Sequence, residues 1–159
     1  MNPFNEFQFR RACSAFATGI TIVTTADAQG RPFGMTVNSF ASVSLEPPLV
    51  LWSVGSHARS FRTFSASGHY AVHILHRGQQ ELATRFASTG DDKFAGLACE
   101  TGLLGSPILP DFAVCLQCRV VQVHPVGQQN LLVGEVLELD DRGHEDATLY
   151  YRGRYWSLG

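Results

Sequence analysis

The stretch GMTVNSFASVSLEPPLVLWSV, residues 34–54, decides how this chain folds. Residues 35–44 mix β-branched with small polar side chains, and Thr, Asn and Ser fill five of the ten positions. This mixture suits an extended strand and competes with a helix interior. Pro47 and Pro48 then impose a bend, because proline fixes its own φ and drives the preceding residue toward extended backbone. Residues 49–54, LVLWSV, read as a buried strand beyond it. The stretch from 33 to 54 is therefore two strands with a proline-marked bend between them.

Toward the C-terminus, residues 56–66 place Ala58, Phe61 and Phe64 at steps of three and predict a short helix. Tyr70, Val72 and Ile74 alternate as a strand. Residues 78–88 are again helical, with Leu82, Ala83 and Phe86 on one face. Residues 89–110 hold four glycines and two prolines and read as a long, lid-like loop. Strands resume at 113–124, 131–139, 148–151 and 154–158, with turns at Gly127, at Asp140-Asp141-Arg142-Gly143 and at Gly153. Toward the N-terminus, ITIVTTA at 20–26 is a strand followed by the hairpin turn Asp27-Ala28-Gln29-Gly30. Residues 3–17 repeat Phe4, Phe7, Phe9, Ala12, Cys13 and Phe16 at helical spacing, with Asn2 at the cap, Pro3 in the first turn and Gly19 beyond the end. About eight strands, three short helices and tight antiparallel turns, with no strand–helix–strand alternation, predict a mainly β fold: an antiparallel barrel with helices at its ends.

At 159 residues the chain has the length of one domain and can bury a core without staples. A net charge of −2 and the absence of any Lys/Arg-rich run exclude the field that nucleic acid requires. No apolar run approaches the ~18 residues that cross a bilayer. Four cysteines are too few for a stapled secreted scaffold, so reduced thiols and a cytoplasmic location are expected.

Neither G-x-G-x-x-G nor G-x-x-x-x-G-K-[ST] occurs, so no Rossmann crevice or P-loop is expected. His69, His73 and His76 look clustered, but on a strand His69 and His73 lie roughly 13 Å apart and His76 points the other way. Solvated or edge histidines are expected there, and no metal site. Cys115 and Cys118 suit buried apolar positions. Ser39 and Ser42 sit in no G-x-S-x-G elbow, and no catalytic base is evident. The hydroxyl-rich segment 35–44 can bind a phosphate and the polar edge of a planar heterocycle, or it can be the polar face of a half-buried strand. Arg59, Ser60 and Arg62 at a helix start offer anion contacts or a solvated face. Both readings fit the residues.

The order of these segments resembles the flavin reductase-like family, small split-barrel flavoproteins that supply reduced flavin to two-component monooxygenases. The marks are ATGITIVTT (17–25), the quoted 34–54 stretch, Ala58-x-Ser60, YAVHIL (70–75), ELATRFA (81–87) followed by Lys93-Phe94, and GEV…LYYRGRYWSL (134–158). The resemblance implies an antiparallel split β-barrel forming a homodimer, with FMN or FAD reduced by NADH or NADPH. It implies that Thr36, Val37, Asn38, Ser39 and Ser42 border the flavin, that Ser53, Val54 and Gly55 follow it outward, that Arg59 and Ser60 meet the phosphate, and that Phe86, Lys93 and Phe94 close the site. Many such reductases carry Gly-Asp-His where this chain has Gly127-Gln128-Gln129, and their His is associated with the nicotinamide. Gln128 and Gln129 are the nicotinamide-side candidates here, and they offer neutral amides in place of an acid and an imidazole. The implied activity is an NAD(P)H:flavin oxidoreductase feeding a partner monooxygenase. A flavin-binding electron carrier or sensor that does not use pyridine nucleotide is the alternative, and a barrel binding another planar ligand is a third.

Overall fold

The computed structural model describes residues 1–90 and 92–159. Twelve strands and three helices run in the order α1 (Glu6–Cys13), β1 (Thr18–Gly19), β2 (Thr21–Ala26), β3 (Pro32–Val37), β4 (Ala41–Leu45), β5 (Pro48–Gly55), α2 (Arg59–Ser67), β6 (His69–Ile74), α3 (Gln80–Ala87), β7 (Glu100–Thr101), β8 (Pro107–Ile108), β9 (Val114–Val126), β10 (Gln129–Asp141), β11 (Ala147–Tyr151) and β12 (Arg154–Leu158). Seven strands form one antiparallel sheet in the order β3-β2-β6-β9-β10-β5-β4, while β1, β11 and β12 form a second and β7 with β8 a third.

The 34–54 stretch explains why the large sheet cannot be flat. Residues 33–44 are not one strand, as the pattern suggested, but β3 and β4 separated by Asn38, Ser39 and Phe40. Those two strands lie at opposite edges of the sheet. A flat sheet of this width would hold its edges ~29 Å apart at ~4.8 Å per strand gap. The four Cα steps from Val37 to Ala41 reach at most ~15 Å. The sheet therefore curls until its edges meet, which makes a split barrel. Ser39 ties that link to β5: its Oγ accepts from Ser53 N at 3.0 Å and donates to Ser53 O at 3.2 Å.

Inside the barrel, Trp52 is fully buried, with Phe64 and Tyr70 edge-on at 4.8 and 5.7 Å between ring centroids. Tyr70 Oη donates to Leu132 O at 3.3 Å. A Cβ on Gly134 would collide with the Tyr70 ring, so the glycine of the GEV segment is a packing requirement. A second cluster joins Ile20, Ile22, Leu75, Ala83, Phe86 and Leu109 where α3 covers the sheet.

Several expectations need correction. The first helix is α1 alone, because Asn5 rather than Asn2 caps it in a reciprocal box with Gln8, and Gly19 belongs to a strand paired with β11. Residues 89–110 are not structureless: β7 and β8 pair within them and Leu109 enters the core. His73 is not solvated. It is completely buried, with Nδ1 3.0 Å from Ile22 O and Nε2 accepting from Leu109 N at 3.1 Å, an arrangement that satisfies a neutral ring. Cys115 and Cys118 are buried, and burial pushes both thiols up to about 12. Among the described residues, no helix is long and apolar enough to cross a membrane.

Candidate functional site

A cleft of about 790 Å³ opens between β3, the start of α2, and the segment that follows α3. It brings together Thr36, Arg59, Ser60, Phe86, Lys93 and Phe94, which are far apart in sequence. Its back wall is built on Gly34. A Cβ there would lie 2.8 Å from Phe86 Cε1 and 3.0 Å from Phe94 Cζ, closer than side chains pack, so only glycine lets both rings approach β3. The two rings meet edge to face at 5.0 Å. Sequence reading passed over Gly34 within its own key motif, since the signal lies in rings more than fifty positions away.

Lys93 fastens this wall. Its Nζ donates to Gly34 O at 3.2 Å and to Phe86 O at 3.0 Å, which leaves one ammonium hydrogen for a ligand. Partial burial holds its pKa below the usual lysine range. Thr36 Oγ1 donates to Ala83 O at 2.6 Å, tying β3 to α3 instead of pointing an uncommitted hydroxyl at the cleft.

Opposite the wall stands the N-terminus of α2. Ala58 occupies the cap position and offers no side-chain acceptor, while Phe61 N donates to Ala58 O at 3.1 Å, so the positive end of the helix dipole has no side-chain cap and suits an anion. Ser60 Oγ lies 3.5 Å from Met35 Sδ, a weak contact that another acceptor can replace.

Other candidates lie elsewhere. Val37 and Val54 point into the core. Asn38 and Ser42 are exposed, and Ser39 and Ser53 bond to each other where the β3–β4 link meets β5. Gln128 and Gln129 sit where β9 turns into β10, both exposed. Their connection to the cleft runs through the backbone: Ser56 N donates to Gln128 O at 3.0 Å, and Ala58 N donates to Gly55 O at 3.0 Å. Gln129 Nε2 lies 3.7 Å from the position a Cβ on Gly55 would take.

A barrel split between β3 and β4, with an apolar cleft walled by two aromatic rings and faced by an uncapped helix, defines a class of small flavin-handling barrels. The chain belongs to the flavin reductase like domain family, whose sequence model matches residues 13–159. It is 43% identical over 138 residues to FMN reductase (NADH) SmoA of Agrobacterium fabrum, covering 87% of this chain and 78% of that protein. It is 40% identical over 151 residues to HsaB, the reductase subunit of a flavin-dependent monooxygenase in Rhodococcus jostii, covering 95% of this chain and 77% of that one. Among solved structures, Streptomyces globisporus NADH:FAD oxidoreductase SgcE6, in complex with NAD and FAD fragments, superposes with a TM-score of 0.92 at 32% identity, over all of this chain and 96% of that one.

Proposed function

We propose that this chain is an NAD(P)H:flavin oxidoreductase that binds FMN or FAD in the cleft and hands reduced flavin to a partner monooxygenase. The observation that carries the reading is the juxtaposition of the Gly34–Phe86–Phe94 wall with Lys93 and the uncapped start of α2. That set fits a flavin: an apolar wall for a planar ring, a cation for its polar edge, and N–H groups with Arg59 and Ser60 for its phosphate. A flavin held there would supply hydride acceptance from reduced nicotinamide and delivery of the electrons to a second acceptor.

The residues of the chain orient and shield; none is needed as a base. Phe86 and Phe94 exclude water from one side. Arg59, Ser60 and the first turn of α2 hold the phosphate end. Thr36 positions β3 through Ala83. Asn38, Ser39, Ser42, Ser53 and Gly55 are assigned to the rim of the same site along the β3–β4 link and the adjoining β5, with Val37 and Val54 offering backbone groups only. Gln128 and Gln129 are assigned to the nicotinamide side, where their amides supply hydrogen bonds that do not change with pH.

The assembly is assigned as a homodimer. No residue of α1 is buried, and Phe4, Phe7, Phe9, Phe16, Val43 and Leu45 all stand exposed, an apolar surface that a second copy would cover. We place the protein in the cytoplasm, where Cys13, Cys99, Cys115 and Cys118 remain the free thiols they are here.

Steady-state oxidation of NADH and NADPH with added FMN or FAD tests the activity, and a rate equal to the uncatalysed background with both nucleotides would remove it. Gln128 and Gln129 favour one other reading, a flavin-binding electron carrier or sensor. That protein would be yellow, and dithionite would reduce it while NADH would not.

A further inference from the structure

A second cavity, of about 450 Å³, holds none of the residues assigned to the cleft. Both spaces are bounded by α2 and the β2–β3 hairpin. The cleft takes Arg59 and Ser60 from the helix and Arg31 from the hairpin, whereas the second cavity takes Arg62 and Thr63 from the helix and Asp27 and Gln29 from the hairpin. Positions three apart stack on one face of a helix, so Arg59 and Arg62 form one stripe and Ser60 and Thr63 the next. The cavities are therefore successive stretches of one groove, and the Asp27–Arg31 pair, Oδ2 to Nε 2.8 Å, marks their boundary.

The helix stripe is basic and open to a ligand. Arg62 lies one turn beyond Arg59, ~4.5 Å farther along the axis. Among the described residues, neither Arg62 nor Thr63 makes a side-chain hydrogen bond or ion pair. Two guanidinium groups at that step suit consecutive phosphates better than a single one. The facing carboxylate does not oppose them: Asp27 Oδ1 accepts from Gln29 N and Arg31 N, each at 2.9 Å, and Oδ2 accepts from Arg31 Nε, so its charge is spent within the turn. Farther along, the walls change. Ala26, Ala28 and Ala66 line the second cavity with single methyl groups, which leaves width for a flat ring system. His69 closes that end. Its Nδ1 lies 2.6 Å from Ser106 Oγ, and partial burial lowers its pKa, so a neutral imidazole stands there that can hydrogen-bond the edge of a base.

We propose that the second cavity receives the adenosine half of FAD, with Arg62 and Thr63 on its second phosphate, which makes FAD rather than FMN the flavin of this chain. The inference rests on the reading of the cleft as the flavin site and deepens it by naming the dinucleotide. With the flavin phosphate at Arg59 and Ser60, the ligand segment that continues along α2 is the one joined to that phosphate. FMN would end at Arg59. The ADP portion of a nicotinamide nucleotide has similar chemistry, but its nicotinamide is assigned to the Gln128–Gln129 tip. That tip joins the chain at Ser56, ahead of α2, while the second cavity follows the later turns of the helix.

Binding of FAD, FMN and AMP to the full chain is measured by flavin fluorescence quenching and calorimetry. FAD should bind at least about tenfold tighter than FMN, and AMP should displace FAD but not FMN. Arg62→Ala removes the second guanidinium, and Ala66→Phe fills the cavity floor from an exposed helix position. Each should weaken FAD binding by roughly five- to tenfold while FMN affinity and melting temperature stay unchanged. FMN bound as tightly as FAD, or variants that weaken both flavins alike, would overturn the proposal and leave the flavin site standing. Variants that raise only the KM for NADH would put the ADP portion of the nicotinamide nucleotide in the cavity and overturn it likewise. Binding of neither flavin would overturn this proposal and the reading of the cleft together.

Discussion

On the β3–α3 side of the cleft, Gly34, Phe86, Phe94 and Lys93 hold one another through ring packing and two ammonium–carbonyl bonds. At the β9–β10 tip, Gln128 and Gln129 stand exposed, and Gln128 is anchored through its own carbonyl. The first region is shaped by side chains that cannot move independently, whereas the second is shaped by backbone that leaves its side chains interchangeable. Flavin affinity should therefore reside in the wall and nucleotide handling at the tip, and substitutions should separate the two.

The largest effect strikes the foundation of the wall, where His73 joins β6 to β2. Burial lowers its pKa from the ordinary 6.5 to about 4, so below pH 6.5 the unfolded chain takes up a proton that the folded chain refuses. Stability contributed by the neutral ring is complete above that range and lost as pH falls toward 4, by about 3 kcal/mol. Urea unfolding at neutral and mildly acidic pH measures it, and an NMR titration in which His73 charges near its ordinary pKa would contradict it. Next comes Gly34→Ala. Forcing the Phe86 and Phe94 rings off β3 should cost about 1–3 kcal/mol, with flavin Kd rising roughly tenfold while kcat/KM for NADH at saturating flavin changes less. Equal loss in both quantities would erase the distinction between wall and tip. Lys93→Gln should weaken flavin binding severalfold, about 1 kcal/mol, with little change in melting temperature. Smallest is Gln129→His, which should leave flavin Kd unaltered, raise NADH turnover a few-fold and add a pH dependence near ~6.5. A flat pH profile in that variant would mean that the tip does not meet the nicotinamide.

The hydroxyl-rich stretch, the proline bend and the turn glycines carried the fold in local patterns, because strand propensity and turn chemistry act over a few residues. Splitting 33–44 into two strands was not legible, since the break at Asn38–Phe40 is imposed by closure of the sheet, a global constraint. Thr36, Arg59 and Ser60 were candidates on residue chemistry that the resemblance sharpened, Phe86, Lys93 and Phe94 came from the resemblance alone, and the cleft gathers all six. Gly34 escaped notice because its role is defined by what packs on it. His73 was misjudged because alternation along β6 cannot reveal that loops bury both faces of the strand.

The three-residue link between β3 and β4 has a further consequence. Neighbouring strands of the large sheet are joined by ladders of backbone bonds, but among the described residues no ladder joins β3 to β4, and the link between them is held to β5 by the Ser39 hydroxyl with its two bonds to Ser53. Breathing of the barrel should begin there, with the Ser53 amide trading deuterium ahead of its neighbours on β5, so that the place where the chain turns from one edge to the other is also its weakest stitch.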